Sequence, residues 1–189
     1  MKSIYFEKTG WENTQVTLNY ALVAAKDLNI KTIVVASTMG QSALEAVNIF
    51  DESFRLIIVT HQDGFRDIGN EFSDKVKNEI LQKLPTTIFH TGTHAFAGLE
   101  RSFRLKYQTM LPIEMLAITI RRCFGEGTKV ALELAIMVSD AGLIDMTKDI
   151  ISIAGTGRGL DTAWIIKPSY SHKLFDLKMK MLICKPKNF

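Results

Sequence analysis

Two short stretches carry residues that could do chemistry on an anion. In the first, Ser37, Thr38, Gly40, Gln41 and Ser42 follow the apolar run Ile33-Val34-Val35-Ala36 and precede a helical pattern. A strand, a turn of hydroxyl residues with one glycine and a helix start can direct backbone N–H groups, hydroxyls and the positive end of a helix dipole at a phosphate. The other reading of these residues is a plain helix cap by Ser42 or Thr38. The second stretch is Gly155-Thr156-Gly157-Arg158-Gly159, followed by Asp161 and Thr162. Its glycines allow close backbone approach, and Arg158 can fork onto a phosphate or stack on a flat ring. A hairpin alone would need fewer glycines, which favours a ligand role.

Several familiar chemistries are absent from the sequence. Residues 37–42 lack the spacing and the lysine of a Walker loop, which excludes that type of ATPase. The glycine loop leads into Thr162-Ala163-Trp164-Ile165-Ile166, a strand pattern, whereas a dinucleotide fingerprint must open a helix. His90 and His94 stand four apart, but Thr91-Gly92-Thr93 between them disfavours a helix and no carboxylate motif accompanies them, so no metal site is expected. No nucleophile with a neighbouring base is recognisable, and Cys123 and Cys184 are too few and too far apart for a disulfide framework. Both read as buried small hydrophobes. Glu100, Arg101 and Arg104 read either as an acid with two phosphate partners or as a solvated helix face.

The elements that must position these residues follow from the hydrophobic pattern. Ile4 to Phe6 reads as a short edge strand, and Asn13 or Thr14 as the cap of a helix with Leu18, Ala21, Leu22 and Ala25 on one face and its stop at Asn29. Lys31 to Ala36 reads as a strand buried on both faces, Gln41 to Phe50 as a helix, and Phe54 to Thr60 as the next buried strand. After the loop His61 to Gly69, Asn70 can cap a helix carrying Phe72, Val76, Ile80 and Leu84, and Thr86 to His90 is a third parallel strand. A short helix near Leu99 is followed by two helices over 113–124 and 128–141, which form a helical layer or an inserted hairpin covering one face of the sheet. Three strands close the chain: 149–154, 162–168 and 179–185. Their short connections place them antiparallel at the sheet edge.

The whole reads as one α/β domain over residues 1–189, three layers around a mixed, mostly parallel sheet. Open α/β sheets bind ligands at the carboxyl ends of their strands. Thr38, His61, Thr93, His94 and Gly155 would then line one crevice.

A net charge of +3, with Lys and Arg interleaved among Asp and Glu, gives no electrostatic case for nucleic acid. No apolar run approaches the roughly 20 residues of a membrane span or the core of a signal peptide, so a cytoplasmic protein is expected.

Asn13-Thr14, residues 33–43 and Leu56 to Thr60 together resemble the C-terminal α/β domain of pyruvate kinase, whose equivalent strand-turn-helix holds a phosphate of the allosteric sugar bisphosphate. Met39 and Gln41 depart from the hydroxyl and basic residues usual there, and no segment resembles the catalytic barrel. A closer resemblance spans nearly the whole chain, carried by Tyr5-Phe6-Glu7, Glu12 to Thr14, Val35 to Thr38, Val59 to His61, Gly92 to His94, Gly98 to Arg101, Ala141 to Leu143, Gly155 to Gly159 and Cys184 to Pro186. These are similar to the stand-alone, mostly archaeal proteins with a pyruvate kinase C-terminal-like domain. That resemblance implies a three-layer α/β/α fold with one antiparallel strand, and FMN in the cleft. Its phosphate would lie at Thr38 to Ser42, its flat ring near Arg158 and the glycine loop, and His61 or His94 beside it.

Three functional expectations follow. The chain binds a small phosphorylated ligand, FMN by resemblance. Alternatively it is a flavin-dependent oxidoreductase or an enzyme acting on a phosphorylated metabolite, with His94, Glu100 or Arg158 in the reaction. Compatible with either is a homo-oligomer formed through the helices 113–124 and 128–141.

Overall fold

Alternation along the strands decides which helices cover which face. In β2 (Thr32–Ala36) the side chains of Ile33 and Val35 join one apolar cluster, and that of Val34 joins another on the opposite face. The first cluster takes in Leu18 from α1 (Thr14–Asp27), Ala43 from α2 (Gln41–Val47) and Ile80 from α3 (Asp74–Lys83). The second takes in Ala117 from α5 (Pro112–Phe124) and Leu134 to Val138 from α6 (Glu126–Asp140). The computed structural model describes residues 2–65 and 72–189 as a three-layer α/β/α arrangement.

The remaining strands are β1 (Ile4–Phe6), β3 (Arg55–Val59), β4 (Ile88–His90), β5 (Ile150–Ala154), β6 (Thr162–Lys167) and β7 (Lys178–Pro186), and α4 (Glu100–Tyr107) precedes α5. The sheet order is β1-β7-β6-β5-β2-β3-β4. Every neighbouring pair is parallel except β5 with β6 and β6 with β7, so β6 alone runs against the rest. The expected edge position of the last three strands is therefore corrected. β5 lies between β6 and β2, and β7 between β1 and β6; β1 and β4 are the edges. All five residues of β5 are buried, which requires neighbours on both sides.

Local signals resolve more finely than the sequence allowed. Asn13 stands at the start of α1, but its side-chain amide donates to Lys8 O (2.8 Å), and the Thr14 hydroxyl accepts the Leu160 amide (3.0 Å) instead of capping the helix. Helix α3 begins at Asp74 with Ser73 Oγ accepting the Val76 amide, so Phe72 precedes the helix; the expected cap Asn70 lies outside the described residues. Phe50 is buried beyond the end of α2. Helix α6 is buried along most of its length between α5 and the sheet, and the exposed apolar residues of this layer, Ile113, Met115, Leu116 and Phe124, belong to α5.

The two cysteines also differ, contrary to the expectation that both are buried. Cys184 is fully buried on β7 and its thiol is pushed up to about 12 by burial, whereas Cys123 is exposed. A thiol reacts as its thiolate. Titration of the native protein with a chromogenic disulfide reagent is expected to give one rapidly reacting thiol, with the second appearing only on denaturation; two rapid thiols would contradict this packing.

Candidate functional site

The carboxyl ends of β2, β3, β4 and β5 meet the beginning of the reversed strand β6 along one edge of the sheet. Backbone pairing continues past the strands there. The Ser37 amide donates to Val59 O (3.0 Å) and the Thr60 amide to His90 O (3.0 Å), and the Thr60 and Thr91 hydroxyls meet at 2.6 Å. Above this edge opens a cleft of about 560 Å³, whose floor includes Ala36, Val59, Val130, Leu134 and Met137.

Ten of the twelve residues expected from the sequence stand in its wall: Ser37, Thr38, Gln41, Ser42, His61, His94, Gly155, Thr156, Gly157 and Arg158. Gly40 and Thr93 do not. A Cβ on Gly40 would lie 2.2 Å from Val76 Cγ1, so this glycine, at φ 97°, serves the approach of α3 to the start of α2. The Thr93 methyl faces Gly98.

At the first turn of α2, Ser37 Oγ accepts the Ala43 amide (3.2 Å), so the hydroxyl that satisfies the helix start is that of Ser37 and not of Thr38 or Ser42. Thr38 Oγ1 lies 3.4 Å from His61 Nε2. The glycine loop is fastened from below by Asp161, which is fully buried: its carboxyl accepts the Thr156 amide (3.1 Å), the Gly10 amide (3.4 Å) and the Thr162 hydroxyl (2.8 Å). Burial raises the Asp161 pKa, and these donors oppose that rise.

The three glycines have structural reasons of their own. A Cβ on Gly155 would stand 2.1 Å from Gly159 O, one on Gly159 would stand 2.6 Å from Trp11 Cα, and Gly157 adopts φ 74° with open space around it. Their number is therefore explained by packing and turn geometry. Arg158 stands in the cleft wall.

Sequence reading missed Trp11, Phe65, Arg121, Glu126, Lys129 and Glu133, all in the wall. Phe65 is the centre of a ring cluster: its centroid lies 4.4 Å from that of His61 and 5.2 Å from that of His94, and the Arg101 guanidinium sits over its face at 4.6 Å. Of the charged trio near residue 100, only Arg101 lines the cleft; Arg104 pairs with Glu114 (2.9 Å), and Glu100 accepts the Glu114 amide (2.9 Å). Lys129 and Glu133 form a buried pair at 2.6 Å on α6. The signal that could have found them is a pair of charges four apart, Lys129 directly before and Glu133 within Val130 to Met137, a stretch otherwise wholly apolar.

Burial is the main cause that lowers the His94 pKa; Glu133 opposes it, while His61, Lys129 and Arg101 act with it. This favours the neutral imidazole of His94, the form that can accept a proton. Burial likewise lowers the Lys129 pKa, against the attraction of Glu133. Among the described residues no group of three His, Cys, Asp or Glu could hold a metal ion, and no helix is long and apolar enough to cross a membrane.

Comparison with known proteins gives two findings. The model of the pyruvate kinase alpha/beta domain family matches residues 15–166. A solved structure of Cryptosporidium parvum pyruvate kinase in complex with ADP is similar at 12% identity and a TM-score of 0.41, over 80% of this chain and 22% of that one. The chain thus spans less than a quarter of that pyruvate kinase. With four-fifths of its length matched by the family model and the mixed three-layer sheet in place, the chain belongs to the pyruvate kinase alpha/beta domain family.

Proposed function

We propose that the cleft binds a phosphate-bearing small molecule, and that FMN, the ligand implied by resemblance, is its occupant. The observation that carries this reading is the charge in the wall. Arg121 is paired with Glu126 (2.7 Å) and Lys129 with Glu133 (2.6 Å), whereas Arg101 and Arg158 have no carboxylate partner among the described residues. Two uncompensated guanidinium groups at the carboxyl ends of strands favour an anion. Thr38, Gln41 and Ser42, at the turn into α2, stand on the same wall.

The remaining lining suits a flat ring. Trp11 and Phe65 offer aromatic faces, the floor is apolar, and a volume of about 560 Å³ lies within the roughly 300–1,000 Å³ usual for small-molecule sites. Bound FMN would supply redox chemistry; the residues of this chain hold its phosphate, cover its ring and exclude water. A second reading, a reaction on the bound molecule, is favoured by the neutral His94 beside Glu133 and Lys129. Glu100 is engaged with the start of α5 and is not among the residues that line the cleft.

Arg158→Ala tests the proposal. Loss of one charge-assisted hydrogen bond, about 1.5–3 kcal/mol, should weaken FMN roughly 10- to 100-fold. Riboflavin, which lacks the phosphate, should bind the wild type weakly and be unaffected by the substitution. Equal FMN affinity in both proteins, or riboflavin binding as tight as FMN, would contradict it.

A further inference from the structure

Lys129 is the buried charge of the cleft whose hydrogen bonding is incomplete. An ammonium has three N–H donors and no acceptor. One donor meets Glu133 Oε2 at 2.6 Å, and no further acceptor for Nζ occurs among the described residues. The Phe96 ring, with its centroid 5.7 Å from Nζ, offers a π face but no lone pair. Glu133 is in the opposite condition: Oε2 takes the ammonium and Oε1 the Phe96 amide at 2.8 Å. The pair therefore leaves its acceptor satisfied and its donor in surplus.

The Lys129 side chain is only 4% exposed, and the cleft is the space from which a further acceptor can reach it. Buried donors are as a rule hydrogen-bonded, and a buried ion pair stabilises a fold little better than apolar residues of similar volume. Both members stand in the cleft wall, as do His94 and Arg101. A molecule bound in the cleft can therefore present an acceptor to the remaining Lys129 donors, in place of cleft water.

We infer that Lys129 is a second anchor of the cleft, donating to a carbonyl or carboxylate oxygen of the same molecule whose phosphate Arg158 holds. The inference rests on the phosphate reading above and narrows it. The ligand class is a phosphate monoester that also bears a carbonyl or carboxylate oxygen, in preference to inorganic phosphate or a phosphorylated polyol. FMN qualifies through the carbonyls of its pyrimidine ring. Glu133 is the positioning residue that fixes the ammonium.

The test is a calorimetric titration of the full chain and of the double variant Lys129→Met/Glu133→Gln with FMN, 3-phosphoglycerate and glycerol 3-phosphate. The variant removes both charges together and keeps an acceptor for the Phe96 amide. FMN and 3-phosphoglycerate should each lose at least about tenfold in affinity, as for one charge-assisted hydrogen bond, while glycerol 3-phosphate binds both proteins alike. No loss for the first two, or an equal loss for all three, overturns the inference. Wild-type binding of 3-phosphoglycerate but not FMN, with the discrimination lost in the variant, would remove FMN and leave the anchor standing. FMN bound equally by both proteins would leave FMN standing and remove the anchor. If the wild type binds none of the three, both fall. A readout without substitution is the ¹⁵N resonance of Lys129 Nζ in the wild-type chain, which should move on addition of 3-phosphoglycerate and stay in place with glycerol 3-phosphate; the same response to both overturns the inference.

Discussion

Lys129→Ala is expected to lower the thermal midpoint of the chain by roughly 10 °C. The substitution removes the cation from a pair in which both side chains are at most 5% exposed, and leaves Glu133 with its Oε1 bonded to the Phe96 amide and its Oε2 without its ammonium partner. Breaking a buried pair from one side costs about 3–5 kcal/mol, because the surviving buried charge has lost its counter-ion. For a chain of this size each kcal/mol moves the midpoint by about 2–4 °C. Calorimetry of the wild type, Lys129→Ala and Lys129→Met/Glu133→Gln checks this. The double variant should recover most of the loss, since it leaves no charge behind; a single variant as stable as the wild type would mean that the pair is better hydrated than its burial indicates.

Gly155→Ala should be the most damaging single-methyl insertion in the glycine loop. Its new Cβ would fall 2.1 Å from Gly159 O, 2.9 Å from Gly159 C and 3.1 Å from Leu160 Cα, all backbone atoms that cannot rotate away. The loop must open, at about 1–3 kcal/mol for overpacking, and Arg158 moves with it. Gly157→Ala is the contrasting case. Nothing lies within 4 Å of its Cβ position, and the cost is confined to placing alanine at φ 74°, about 1–2 kcal/mol. Ligand affinity should therefore fall at Gly155 and hold at Gly157. Melting curves with and without FMN measure both effects, and an affinity unchanged in Gly155→Ala would separate the loop's closure from the site.

The central part of the fold was legible because its signals are local. Ile33 to Ala36 and Leu56 to Val59 are unbroken apolar runs, and such runs have few alternatives to a strand buried on both faces. Pro112 and Gly125 bracket α5 for equally local reasons. Strand order was less accessible. The pairing of Val34 with Ser152 joins residues more than a hundred positions apart, and nothing in the composition of 150–154 says that β2 lies beside it. Short loops correctly indicate the reversal at β6, but they do not say which side of the sheet receives it.

The site divided along the same line. Backbone-borne features, the turn 37–42 and the loop 155–159, were visible as residue types in a row. Lys129 and Glu133 were not, because charged residues on a helix ordinarily face water, and periodicity followed Val130 and Leu134 past them. Gly40, Gly155 and Gly159 show the converse. Val76, Gly159 and Trp11 account for them by contact, and contacts across the fold are invisible in the linear pattern.

The most direct test of the account is the thermal midpoint of the full chain, measured with FMN and with simple phosphate monoesters. A ligand at a hundred times its Kd stabilises by about 2.7 kcal/mol, a rise of roughly 5–10 °C at this size. That rise is expected with FMN, and a smaller one in Arg158→Ala. An unchanged midpoint with FMN, 3-phosphoglycerate and glycerol 3-phosphate at millimolar concentration would contradict the claim that this cleft is a phosphate-ligand site.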